Sequence, residues 1–570
     1  MVKNLVSIFL LTCYNSGMSN IKINFLNSQK TVTCAYGTIA SSLAENFGIP
    51  VEQIAAIREN NEIRPMGTSL LVNANVEPVL LNSPEGVSIN RRTLSFILAI
   101  AARNIFPHDG VYVGHSLGNS YYYTLSSGEK PKDSDVKKLQ NEMLKIIEEN
   151  LPISFKYLSY EEAMQVFKKN NQTDTVLLLD QRSSPLIKVN ECKGYMDIYV
   201  QPLLQRTGLL SAFELTPYGD GFLLRFPGIG RGNTIDPFTD EPQIFKVFSD
   251  YKKWGKIVGV RVVGELNSKV GDRTISDYIR IAEIHQARKM ADIATRIYER
   301  HNDLKMVLIA GPSSSGKTTS AKRLEIELMV LGLKPIAISL DDYYRGTANT
   351  PKDENGEPDY ECLEALDVPF LNEQLQALYR GEEVILPVYD FKTGSRKETG
   401  GKKIKMESDN ILILEGIHGL NDALTPSISR NTQFKVYISA LTQLNLDDHN
   451  RIPTSDNRLL RRMVRDSQFR SKDAAGTLQW WPKVQAGERK YIFPFQNSAD
   501  AAFNSALDYE LSVLKYYADP LLRAVKPGMV EYAEAVRLLS FLENFAPIVP
   551  QYVPRNSILR EFIGGSEFRY

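Results

Sequence analysis

The consecutive residues Gly311-Pro312-Ser313-Ser314-Ser315-Gly316-Lys317-Thr318-Thr319 satisfy the spacing G-x-x-x-x-G-K-[ST]. That spacing suits a phosphate. Glycines let the backbone approach a polyphosphate, successive N–H groups face the anion, the lysine reaches the outer phosphates, and the Thr318 hydroxyl can hold Mg²⁺. The stretch predicts ATP or GTP binding through Gly311, Ser313, Ser314, Ser315, Gly316, Lys317, Thr318 and Thr319. Further along, Asp341 and Asp342 lie in PIAISLDDYY, Glu415 lies in NILILEGIHGL, and Arg458, Arg461, Arg462 and Arg465 recur on one face of a predicted helix. Phosphoryl transfer needs a metal, positive charge on the migrating group and an acceptor for the hydroxyl proton. Adjacent carboxylates at a strand end point to opposite sides, so one of Asp341 and Asp342 is expected to face the phosphate. For the arginines, a clamp on the transferring group and a salt-bridged surface helix are both readings of the same pattern.

These residues need elements to hold them. KMVLIA, ending at Ala310, reads as a buried strand, and from Thr318 the run TSAKRLEIELMVLG has helical spacing until Gly332. Strand and helix then alternate through PIAISL, NILILE and QFKVYIS, which predicts a parallel, doubly wound sheet with its chemistry at the strand ends. Residues 272–303 read as one amphipathic linker helix with Ile275, Ile279, Ala282, Met290, Ile293 and Ile297 on its apolar face. Beyond residue 508, two helices are expected to cover a sheet edge or make a subunit contact, and a homo-oligomer is expected. Near the start, IKINFLNSQKTVTCAYG reads as two strands around a turn, followed by a helix capped by Thr38 and stopped by Gly48.

At 570 residues the chain is too long for one core. Lys plus Arg and Asp plus Glu number 67 each, so overall charge points neither to nucleic acid nor to an anionic membrane. Cys13, Cys34, Cys192 and Cys362 form no C-x-x-C pair, and no two of the six histidines have the H-x-x-x-H spacing of a helical metal site. A reducing cytoplasm is expected. Lys3 followed by LVSIFLLTC has the look of a short leader, whereas Met18 as initiator places the start directly before the first predicted strand.

Three resemblances follow from these motifs. Residues 18–82 resemble a TGS domain, the β-grasp module at the front of threonyl-tRNA synthetases, which implies either RNA or protein contact or a packing role alone. In residues 83–271, SPEGVSINRRTLSFILAIAARNIFP, GHSLGNSYYYTL, LSYEEAMQVFKKN and YMDIYVQPLLQRTGLLSAFELT follow the order of the α+β second additional domain of threonyl- and alanyl-tRNA synthetases. There the resemblance implies a zinc-dependent editing site, but its ligand places fall on Thr93, Ile97, Tyr199 and Leu203. Ile97 and Leu203 have no lone pair to give, so hydrolytic editing is not expected. Tyr121, Tyr122 and Tyr123 with His115 are then either a retained pocket for a tRNA end, an aminoacyl group or a nucleoside, or a strand packed on the core.

Residues 304–508 resemble the uridine kinase and phosphoribulokinase family of P-loop kinases, and the whole chain resembles bacterial nucleoside kinases with a synthetase-like front half. The resemblance implies Asp341 as base and metal-side carboxylate, and Glu415 as the acid that orients Mg²⁺ through water. Lys317, Arg465 and Arg470 join Asp341 as catalytic residues, with Arg470 and Lys472 at the place of a closing lid. Tyr360 and Glu361 stand where uridine kinases hold the ribose, and Tyr344, Tyr389, Phe391 and Arg396 would line the base side. The pyrimidine-reading histidine of those enzymes falls on Gly394. The expectation is an ATP- and Mg²⁺-dependent kinase acting on a uridine- or cytidine-like nucleoside. The alternative is an RNA- or tRNA-sensing P-loop NTPase that works through its front half.

Overall fold

The computed structural model describes residues 20–182, 184–354, 356–390, 393–397 and 399–569. The leader reading, Met18, Cys13 and Phe391 lie outside the described residues. The chain forms two compact units. The first holds residues up to Thr239 together with Asn445–Arg451 and Val525–Asn544; the second holds Asp240–Leu444, Ile452–Ala524 and Phe545–Tyr570.

In the first unit, strands β1 (Asn20–Phe25), β2 (Lys30–Ala35), β3 (Ile54–Glu59), β4 (Glu62–Arg64) and β5 (Ala74–Leu80) form one sheet in the order β2-β1-β5-β3-β4. Strands β1 and β5 run parallel, and the other pairings are antiparallel. Alternation in β1 puts Ile21, Ile23 and Phe25 into a core with Phe47, Ile54 and Val76. The helix crossing this sheet is a 3₁₀ helix over Ala40–Phe47, and Thr38 does not cap it. The Thr38 hydroxyl instead donates to Ala35 O at 2.6 Å and closes the turn after β2, while Gly48 ends the helix at φ 68°.

Helix α1 (Pro84–Ile105) starts with Pro84 and with the Ser83 hydroxyl accepting from Gly86 N at 3.1 Å. After it come β6 (Val111–Ser116), β7 (Ser120–Leu125), α2 (Asp133–Glu148), β8 (Ser154–Ser159), α3 (Tyr160–Lys169), α4 (Thr173–Asp180), β9 (Leu186–Cys192), β10 (Tyr195–Asp197), β11 (Glu214–Tyr218) and β12 (Gly221–Arg225). These strands make an antiparallel sheet β11-β12-β7-β6 and a smaller one, β10-β9-β8. Ile97, Tyr199 and Leu203 are buried in the main apolar cluster, and the Thr93 hydroxyl donates to Ile89 O and accepts from Leu204 N. The four places read as lost ligands are therefore packed core. Tyr122 and Tyr123 are buried on β7, and Tyr123 donates to Ser95 Oγ at 2.9 Å, so this tyrosine run is packing.

The second unit opens with α5 (Pro242–Val258), α6 (Val263–Gly271) and α7 (Ile275–Tyr298). All six apolar residues expected on the face of α7 are buried. The unit then builds one five-stranded sheet from β13 (Met306–Ala310), β14 (Lys334–Ser339), β19 (Asn410–Glu415), β20 (Gln433–Ser439) and β21 (Ala501–Asn504), in the order β14-β19-β13-β20-β21. Every pairing is parallel. Between these strands run α8 (Lys317–Val330), α9 (Val368–Tyr379), the hairpin pairs β15 (Glu383–Ile385) with β18 (Lys403–Lys405) and β16 (Tyr389–Asp390) with β17 (Ser395–Arg396), α10 (Thr454–Phe469) and α11 (Ala474–Tyr491); α12 (Glu510–Arg523) follows β21. Register aligns the strand ends: Ile309 pairs with Glu415, and Glu415 with Ser339. The loop after β13, the residues after β14 and the end of β19 thus meet on the carboxyl edge of the sheet, where parallel α/β folds bind ligands. Among the described residues no helix is long and apolar enough to cross a membrane.

Candidate active site

The phosphate loop is held tightly from behind. A Cβ on Gly311 would lie 1.9 Å from Ile438 O, so only glycine fits there. Gly316 at φ 80° leads into α8, and Ser314 is held at φ 59°, a conformation a serine rarely adopts unaided. The constraint comes from the arginines of α10. Arg461 donates to Ser314 O at 3.3 Å and Arg465 to Ser314 Oγ at 3.3 Å, while Arg458 donates to Ser313 O at 3.1 Å and Arg462 to Ser313 Oγ at 2.8 Å.

These arginines do not sit on a solvated face. Arg461 is 0% and Arg458 4% exposed. Each is matched by a buried carboxylate: Arg458 donates to both Glu488 oxygens at 2.5 and 2.8 Å, and Arg461 to Glu510 Oε2 at 2.5 Å. Glu488 also accepts from Ser313 N at 2.9 Å. Arg465 reaches Glu561 at 3.5 Å, and the same Glu561 accepts from Thr319 N at 3.2 Å and Thr319 Oγ1 at 2.7 Å. The last residues of the chain therefore belong to this loop: Ile558 packs where a Gly316 Cβ would point, and Phe562 lies under Arg461 and Arg465. Arg470 pairs with Asp466 at 3.4 Å at the end of α10 and remains half exposed.

Lys317 is the electrostatic centre of the open side. Its ammonium acts on three carboxyl groups, Asp341, Glu415 and Glu361, favouring the ionised form of each. Asp341 lies in a 3₁₀ turn, Leu340–Tyr343, just beyond the end of β14. Strand alternation therefore does not apply to Asp341 and Asp342, and the turn separates them: Asp342 accepts from Tyr389 N at 3.0 Å and secures β16. Asp341 is exposed to solvent in the cleft, yet the protein surrounding it strips enough hydration to raise its pKa. Lys317 opposes that rise, Asp342 adds to it, and Arg470 and Arg465 oppose it. Burial pushes Glu415 up to about 7 against the pull of Lys317, with Asp341 and Glu561 adding to the rise and a hydrogen bond with the Thr318 side chain opposing it. Burial likewise pushes Glu361 up to about 7, helped by Glu488 and opposed by Arg462 and Lys317. Arg465 is pushed down to about 10, by burial first and then by Arg470.

Next to these groups, Tyr344 donates to Tyr360 O at 3.0 Å, and its ring stands 6.2 Å from Tyr360 and 5.7 Å from Tyr389. Tyr360 donates to Thr347 Oγ1 at 3.0 Å. The guanidinium of Arg396 is committed to the protein, donating to Tyr344 O, Tyr343 O and Asp367. Arg396 thus holds this wall together from behind. Gly394 stands at φ 65°, and a Cβ there would lie 2.4 Å from Thr347 Oγ1, so a histidine does not fit without moving Thr347. Gly394→Ala is expected to raise the KM for the acceptor several-fold by displacing Thr347 and Tyr360, while ATP affinity stays unchanged. Paired acceptor and ATP titrations check this.

Residues 306–512 match the Phosphoribulokinase / Uridine kinase family. That family is one of kinases, and a glycine-rich phosphate loop on a parallel sheet is the architecture its chemistry uses. In its N-terminal region the chain is 29% identical over 187 residues to threonine–tRNA ligase 2 of Bacillus subtilis (strain 168), covering 33% of this chain and 28% of that protein. It is 24% identical over 157 residues to threonine–tRNA ligase of Francisella tularensis subsp. tularensis (strain FSC 198), covering 28% of this chain and 25% of that protein. The chain therefore spans little more than a quarter of these relatives. Among solved structures it is similar to one described as a possible uridine kinase from Bacillus stearothermophilus (18% identical, 35% of this chain, 89% of that one, TM-score 0.22). Another is D-glycerate 3-kinase from Cryptococcus neoformans (17% identical, 45% of this chain, 87% of that one, TM-score 0.22).

Proposed function

We infer that the chain is an ATP-dependent nucleoside kinase that moves the γ-phosphoryl group to a nucleoside 5′-hydroxyl, with a uridine- or cytidine-like acceptor favoured. The observation that carries this reading is the set of three carboxyl groups around Lys317, each suited to a different task. Asp341 takes the proton as the acceptor oxygen attacks the γ-phosphorus, the bond from that phosphorus to the bridging oxygen breaks, and ADP leaves. A raised pKa suits a base that must accept a proton near neutral pH. Lys317 draws in the outer phosphates, and Arg465 and Arg470 add positive charge as it spreads over the transferring group. Glu361, with Tyr360, holds the ribose hydroxyls. Tyr344 and Tyr389 flank the base, Phe391 is assigned to the same side, and Arg396 supports it.

The Thr318 hydroxyl and the Glu415 and Asp341 carboxylates are hard oxygen donors beside the phosphate loop, and that donor chemistry fits Mg²⁺. When bound, Mg²⁺ supplies charge neutralisation on the β and γ phosphates. Among the described residues no group of three or more His, Cys, Asp or Glu is arranged to hold a metal by itself. Glu415 must be ionised to serve. Turnover at sub-saturating Mg²⁺ is therefore expected to rise with pH through about 7, because protonated Glu415 competes with the ion. The apo chain is expected to change the opposite way. Carboxyls whose folded pKa is raised favour the folded state while protonated, so stability is lost as pH rises from their usual range through about 7. A pH series of turnover and of thermal midpoints, with and without Mg²⁺, checks both signs.

The domain reading that accompanies this function is a TGS domain over 18–82, an editing-like domain over 83–271, a linker helix over 272–303, the kinase over 304–508 and a helical extension after it. The alternative, an RNA-sensing NTPase, draws support from the N-terminal similarity to threonine–tRNA ligases. A product-detecting screen with ATP, Mg²⁺ and a panel of ribo- and deoxyribonucleosides tests the first reading; a nucleoside 5′-monophosphate as product is expected. ATP hydrolysis that ignores every nucleoside but responds to RNA would replace it with the second.

A further inference from the structure

The carboxyl group of Glu361 has no tether of its own. Among the described residues it makes no hydrogen bond and no ion pair; Glu488 and Asp359 repel it, while Arg462 and Lys317 draw it. A carboxyl that is to take two sugar hydroxyls must keep both oxygens open, so its direction has to come from the backbone that carries it. That backbone is held by one side chain. Glu361 N donates to Asp359 Oδ1 at 3.0 Å, the bond that closes an Asx turn, and the Tyr491 hydroxyl donates to Asp359 Oδ2 at 2.9 Å. Asp359 is fixed in turn, its own N–H donating to Pro351 O at 2.7 Å and its carbonyl accepting from Cys362 Sγ at 3.2 Å.

Tyr491 is the last residue of α11. One turn earlier Gly487 lies against the Glu361 side chain: a Cβ there would stand 2.8 Å from Glu361 Cγ and 2.9 Å from Glu361 Cβ. Glycine inside a helix costs about 1 kcal/mol relative to alanine, and here it makes the room that Glu361 occupies. Between the two, Glu488 accepts from Ser313 N. The final turn of α11 thus meets the acceptor side and the phosphate loop together. His418, in the segment after β19, packs against Tyr491; it is 1% exposed, and its ring stands edge-on to the tyrosine at 6.4 Å. Burial pushes the His418 pKa down to about 4, so at neutral pH the ring carries no charge and leaves Asp359 to the tyrosine hydroxyl.

We propose that Asp359 and Tyr491 are positioning residues that aim the Glu361 carboxyl, and that through it they set the preference for a ribonucleoside over its 2′-deoxy counterpart. The inference rests on the acceptor reading of Glu361 given above. A carboxyl held in register with vicinal hydroxyls gains a hydrogen bond from each of them, and 2′-deoxyribose can supply only one. A carboxyl whose backbone is released gains less from either sugar and tells them apart less well.

The test is the steady-state kinetics of the full-length chain with each ribonucleoside of the panel beside its 2′-deoxy counterpart, for the native sequence and for Tyr491→Phe, Asp359→Ala and Asp359→Asn. Tyr491→Phe removes one oxygen, and Asp359→Ala removes the tether itself. Both are expected to raise the KM for the ribonucleoside about tenfold, the worth of one hydrogen bond, and to bring the ribo-to-deoxy ratio of kcat/KM towards one, while kcat and the KM for ATP stay within about twofold. Asp359→Asn keeps an oxygen for Glu361 N and is expected to retain most of the preference. In a Glu361→Ala background, Tyr491→Phe is expected to change nothing further. A loss that falls equally on ribo- and deoxyribonucleosides, a preference unchanged in Tyr491→Phe, or effects that add to those of Glu361→Ala overturn the proposal. A native chain that phosphorylates nucleosides without preferring the ribose overturns it as well; one that phosphorylates no nucleoside removes the acceptor reading and this inference with it.

Discussion

Asp341→Asn is expected to lower kcat by about a thousandfold or more while ATP binds nearly as before, a loss in the range that removal of a central catalytic group produces. The asparagine keeps the shape of the turn after β14 but cannot take a proton. The proposed phosphate contacts lie elsewhere, on residues 311–319, and Asp342 remains to hold Tyr389 in place. The substitution also removes one carboxylate that raises the pKa of Glu415, so Glu415 is expected to titrate lower and Mg²⁺ affinity to fall only modestly. Single-turnover kinetics with radiolabelled ATP, beside an equilibrium titration of a fluorescent ATP analogue, separates the two effects. Retained turnover would remove Asp341 from the role of base and leave the reaction to substrate-assisted proton loss.

Glu488→Ala should be the most damaging change to stability in the candidate site. Glu488 is 1% exposed, and it neutralises the buried Arg458 while accepting from Ser313 N. Its removal leaves the buried Arg458 guanidinium without its counter-charge and the Ser313 N–H without its acceptor, a loss of about 3–5 kcal/mol. The diagnostic comparison is with Arg458→Met/Glu488→Leu, in which neither charge is left behind. That double variant is expected to be more stable than either single one in urea unfolding, and to lose ATP affinity because Ser313 is no longer steered. Equal destabilisation by the single and double changes would mean that the pair contributes shape alone.

The phosphate loop could be read from sequence because its recognition is local: strand, glycine-rich turn and helix follow one another within about twenty-five residues, and residue type alone fixes what each does. Asp341 and Glu415 were legible for a related reason, since a parallel sheet delivers the ends of its strands to one edge. The shell around them was not. Glu488 lies 175 positions from Ser313 and Glu561 lies 242 from Thr319, and nothing periodic in α11 or in the terminal residues marks a carboxylate aimed at a loop so far upstream. The arginine face of α10 misleads for a physical reason: repeated charge normally means solvent, yet here each buried guanidinium has a buried acid from a distant segment. Likewise Asp447, Asp448 and His449 sit in a stretch with no motif, and only the fold shows that this loop belongs with the first unit.

The contribution of Glu561, Ile558 and Phe562 to the phosphate loop has a consequence for biosynthesis. A ribosome adding about 5–20 residues per second needs on the order of ten to fifty seconds to travel the 242 positions from Thr319 to Glu561. Through that interval the nascent sheet can form, but Thr319 and Arg465 lack their acid and Gly316 lacks its cover. The phosphate loop is thus expected to mature only after Ile558 and Glu561 have been made, and a chain cut short before them is expected to fold almost entirely and to handle ATP poorly.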